Sequence, residues 1–67
     1  MFEDLVEKEV TAYLLSNSEE KYVMKGIIKK TTELATTIEV EERKKFGEIK
    51  KIQRTINNRY ITFIDLV

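Results

Sequence analysis

Neither cysteine nor histidine occurs among the 67 residues of this chain. That double absence narrows what it can fold into more than any motif it carries. A chain this short buries only about 60% of the surface its unfolded form exposes. Domains of this size usually add disulfides, a metal or a partner subunit. Without thiols or imidazoles, disulfides and every thiolate or imidazole metal site are closed. Zinc fingers, Cys–His nucleophiles, Ser–His triads and Glu-x-x-His di-iron bundles are excluded with them. Self-association is the device that remains, so a homodimer built from one small domain over residues 1–67 is the expectation.

Apolar residues make up 42% of the chain and charged residues 36%, with no proline and two glycines. Against ordinary values of about 45–50% and about 25%, this composition favours helices with heavily charged faces. Phe2, Leu5, Val6, Val10, Tyr13 and Leu14 follow the i, i+3, i+4, i+7 pattern of one helix face. Ser16-Asn17-Ser18 interrupts it, and Ser18 before Glu19-Glu20 reads as an N-cap. A second stripe holds Met24, Ile27, Ile28, Thr31, Leu34, Ala35 and Ile38, with Gly26 inside it. A glycine there is read as the close approach of another helix. Thr36-Thr37-Ile38-Glu39 matches a capping box, so a break near Thr36 is preferred to one helix running from Glu19 to Phe46 and ending at Gly47.

Phe46, Ile49, Ile52, Ile56, Tyr60, Phe63 and Val67 are spaced by threes and fours, which predicts a third helix. Tyr60-Ile61-Thr62-Phe63-Ile64 is also the richest β-forming run in the chain, so extended structure over 59–67 stays open. The fold expected is all-α: a three-helix bundle, or a helical hairpin with a long central helix, completed by dimerisation. Ile56, Tyr60, Phe63 and Val67 are its candidate interface, with Tyr22 as a surface anchor.

Charge is sorted along the chain. Residues 1–42 carry ten acidic groups against five lysines, and the remainder carries seven basic groups against two acidic ones. Such asymmetry pairs the two halves, pairs two subunits, or offers a basic surface to an anionic partner. The basic stretch runs from Arg43 to Arg59. Lys44, Lys50, Lys51, Arg54 and Asn58 are its candidate contacts to phosphates or bases, with Gln53 and Asn57 beside them. A faint helix-turn-helix pattern over 8–28 places Glu19 and Glu20 where phosphates would lie.

No catalytic group, cofactor or metal is expected. Adjacent acids such as Glu41-Glu42 read as solvated helix charge. No run approaches the ~20 apolar residues of a membrane span, and the acidic start is unlike a signal peptide, so a cytoplasmic protein is expected. The function expected is a small regulatory protein, of the type common in bacteria and their phages. It would act as an inhibitor or adaptor by helix-mediated binding of another protein. A nucleic-acid-binding regulator is the alternative.

Overall fold

The computed structural model describes residues 2–15 and 21–67, with the side chains of Lys21 and Tyr22 outside that description. The expected helical bundle is overturned: the chain is all-β, with no helix of seven or more residues among those described. Five strands form one antiparallel sheet: β1 (Glu9–Leu15), β2 (Lys21–Thr31), β3 (Ala35–Arg43), β4 (Ile49–Asn57) and β5 (Ile61–Leu66). Their order is β4-β3-β2-β1-β5. Four strands follow one another as a meander, and the fifth returns to the outer side of the first. Short 3-10 turns at Glu3–Leu5, Lys45–Gly47 and Asn58–Tyr60 punctuate the strands.

The helical reading failed for a definite reason. A spacing of four satisfies the strand period of two as well as the helix period. Ile52 and Ile56 therefore share a face of β4, opposite Val40 and Thr36 of β3. A spacing of three moves a residue to the other face, and Ile49, three before Ile52, is indeed exposed. The period-two sets were present throughout: Val10, Ala12 and Leu14 in β1, and Thr36, Ile38 and Val40 in β3. Val, Ile and Thr crowd residues 23–40 and 49–64, as strands prefer.

The buried core is Val10, Ala12, Leu14, Ile28 and Ile38. Phe2, Leu5 and Val6 pack against it ahead of β1, and Met24, Val40, Ile56, Ile61 and Ile64 around it. The capping-box reading of Thr36 is corrected too. Thr36 is a fully buried strand residue, and the break falls earlier, at the turn between Thr31 and Ala35. There Thr32 Oγ1 accepts from the backbone N–H of Leu34 and of Ala35, at 3.2 and 3.1 Å. The N-cap reading of Ser18 lies outside the described residues, and residues 9–15 and 21–28 of the faint helix-turn-helix are strand.

Gly26 marks the corner of the sheet. Lys21 to Ile27 pair with β1, whereas β3 pairs from Ile27 to Thr31. Strand β2 is thus shared between two ribbons and must turn between them. A Cβ at Gly26 would collide with the Glu39 carbonyl oxygen and the Ile38 side chain. The close approach expected at this glycine is made by a strand, not a helix. A bulge between Ile28 and Lys30 adds to the bend. Beside it, Lys29 Nζ lies 3.1 Å from Glu7 Oε2.

Candidate binding surfaces

The sorted charges meet across one hairpin. Glu41 lies opposite Lys51 and Glu42 opposite Lys50, so part of the acidic half faces part of the basic half in adjacent strands. The candidate nucleic-acid contacts are dispersed by this geometry. Lys50 and Arg54 share the face of Ile52 and Ile56, and Lys51 points from the opposite face. Lys44 belongs to the hairpin connection.

Asn58 is only 6% exposed and is wholly engaged inside the chain. Its Nδ2 donates to the carbonyls of Thr32 and Glu33, at 2.8 and 3.2 Å. Its Oδ1 accepts from Thr36 Oγ1 at 2.6 Å, and its backbone N–H donates to Leu34 O. It fastens the turn after β2 to the turn between β4 and β5.

Of the candidate interface residues, Ile56 packs on the protein's own core. Tyr60 carries the Arg59 guanidinium over its ring, 5.2 Å from the centroid. Phe63 and Val67 are exposed. The side chain of Tyr22 lies outside the described residues. Phe63 sits directly opposite Tyr13, with ring centroids 5.8 Å apart, and Tyr13 opposite Val23. These three residues form a short apolar row on the outer face of three neighbouring strands.

One residue that periodicity assigned to a helix stripe stands apart. Phe46, at the tip of the β3–β4 hairpin, is 100% exposed. Its backbone is left-handed, with φ 73° and ψ 17°. Gly47 follows at φ 79°, and Lys44 N–H closes the loop on Glu48 O at 2.8 Å. A bulky residue at positive φ is a steric outlier, costing about 1–3 kcal/mol where it persists. Asn or Gly would sit there without strain. Arg43, Lys44 and Lys45 precede the ring and are exposed. The sequence signal for this tip was Phe46-Gly47 after three cations, a turn pair that the helical stripe obscured.

A shallow pocket of about 260 Å³ opens on the outer face where β2 and β3 diverge. Glu9, Glu39, Glu41, Lys25 and Lys51 line it, with the backbone of Gly26 beneath. Its opposite charges are close to balanced. Among the described residues, no cluster of three or more acids has the geometry to hold a metal ion, and no helix is long and apolar enough to cross a membrane. Comparison with protein-family models, with curated proteins and with solved structures gives no match. Function therefore has to be argued from these surfaces alone.

Proposed function

We propose that the protein is a small non-enzymatic regulatory module that binds a protein partner through the tip of its β3–β4 hairpin. The observation that carries this reading is Phe46, a fully exposed ring on a strained backbone. Nothing among the described residues rewards that arrangement, whereas a partner pocket would. Burying one phenyl ring contributes about 1.5–3 kcal/mol. The cations beside it suit a pocket with an acidic rim. A cytoplasmic setting belongs to the same reading, since a chain without cysteine suits a reducing compartment.

The test is capture of a partner by the tagged protein from its source cell. Phe46→Asn should keep the fold while removing the ring, and should weaken capture about 10- to 100-fold, as expected for ~1.5–3 kcal/mol. Undiminished capture by that variant would sink the proposal.

A second reading rests on the same tip. Arg43, Lys44 and Lys45 beside an exposed ring can hold phosphates while a base stacks on Phe46. It is the weaker reading, because Glu42 and Glu48 flank the tip and the overall pI is 6.3. If it holds, mobility-shift affinity falls steeply with salt, charge reversal at Arg43, Lys44 and Lys45 weakens it further, and nuclease abolishes capture.

A further inference from the structure

The sheet has two open edges of contrasting chemistry. Strand β4 ends one side and carries Lys50, Lys51 and Arg54, charges of the kind that keep an edge from pairing with another chain. Strand β5 ends the other side and carries a single charge, Asp65. Phe63, Leu66 and the following Val67 are 57%, 56% and 73% exposed along it. Val67 N–H donates to Glu9 O at 3.1 Å, in register with the rest of the β1–β5 ladder. By the alternation of antiparallel bonding, Phe63 and Asp65 also bond toward β1. The backbone N–H and C=O groups of Ile64 and Leu66 then face the open edge.

We infer that a second copy of this chain pairs antiparallel with β5, joining two five-stranded sheets into one. An antiparallel strand pair about a two-fold axis is self-complementary, as an isologous interface requires. The formal net charge of zero raises no general repulsion between copies. The register that sets Phe63 against Phe63 of the second copy puts Asp65 opposite Ile61, so the two carboxylates stay apart. It also extends the row of Phe63, Tyr13 and Val23 across the axis, with aromatic pairs of the kind that stabilise sheets. A core with five buried apolar side chains among the described residues gains most from such a partner. This interface goes beyond the proposed function and uses a different part of the molecule. Phe46→Asn leaves it intact.

Sedimentation velocity across the micromolar range tests it. The wild-type chain should sediment as a dimer. Ile64→Pro removes the outward N–H that faces Thr62 of the second copy without touching the β1 bonds, and should raise the dissociation constant at least tenfold, about 1.4 kcal/mol. Leu66→Lys, which places a cation on the edge, should do the same if the proline variant folds poorly. The chain has no cysteine, so single substitutions report proximity cleanly. Phe63→Cys should form a disulfide-linked dimer on mild oxidation, because facing residues of a non-hydrogen-bonded pair lie about 4.5 Å apart at Cα. Gln53→Cys on β4 should not. A monomer throughout the range overturns the inference. So does a dimer that both edge variants, Ile64→Pro and Leu66→Lys, leave unchanged and that crosslinks through position 53.

Discussion

At the scale of single residues, two side chains define opposite extremes. Asn58 is buried with every polar atom engaged, and Phe46 touches nothing. Asn58→Ala should cost about 1–3 kcal/mol in chemical denaturation, since the buried Thr36 hydroxyl loses its acceptor and two part-buried carbonyls lose their donor. Asn58→Asp should cost more, because a carboxylate would face those carbonyls. Its folded-state pKa would be raised above the unfolded value. The variant is then least impaired below the unfolded carboxylate range, and loses stability as pH rises through the raised pKa. Melting temperatures measured from acid to neutral pH check the sign. Phe46→Asn should go the other way and raise stability by up to about 1 kcal/mol, since Asn tolerates the left-handed region. If it destabilises instead, the ring has an intramolecular role and the case for a partner weakens. Neither extreme was legible in the sequence. Asn58 read as a polar group on a basic face, and Phe46 as one more member of an apolar stripe.

At the scale of elements, the bend of β2 decides the architecture. Gly26→Ala should destabilise by about 3 kcal/mol or more, because the backbone of β3 occupies the space a methyl group needs. Gly47→Ala meets open space and should cost only about 1 kcal/mol, the penalty of positive φ. Equal losses at the two glycines would contradict this division. The cross-strand pairs Glu41 with Lys51 and Glu42 with Lys50 are exposed, so exchanging the charges within a pair should change stability by less than about 1 kcal/mol. Here the sequence was partly informative. Sorted charges left the pairing of the two halves as one of three readings, and the run Tyr60 to Ile64 offered the extended alternative that β5 adopts. The helix and strand templates could not be separated because Ile52 and Ile56 fit both, and because bulges at Lys29 and near Thr62 break the clean alternation that marks a strand.

At the scale of the whole molecule, β1 lies between β2 and β5, and β5, which lies outside the meander, is the last strand to find its place. Thr62 Oγ1 donates to Tyr13 O across 49 positions of sequence. The hairpins β2–β3 and β3–β4 close over short turns, whereas the β1–β5 ribbon closes over most of the chain. Closing that loop costs chain entropy before any contact repays it. Assembly should therefore run in a fixed order, with the three-strand meander β2–β3–β4 forming early and β5 docking late. Substitutions such as Ile64→Val should speed unfolding with little effect on the refolding rate, and Ile38→Val should slow refolding. Until β5 arrives, the far edge of β1 is open to any extended chain. In a crowded cell, a chain released before residues 61–67 are made would present that edge to its neighbours.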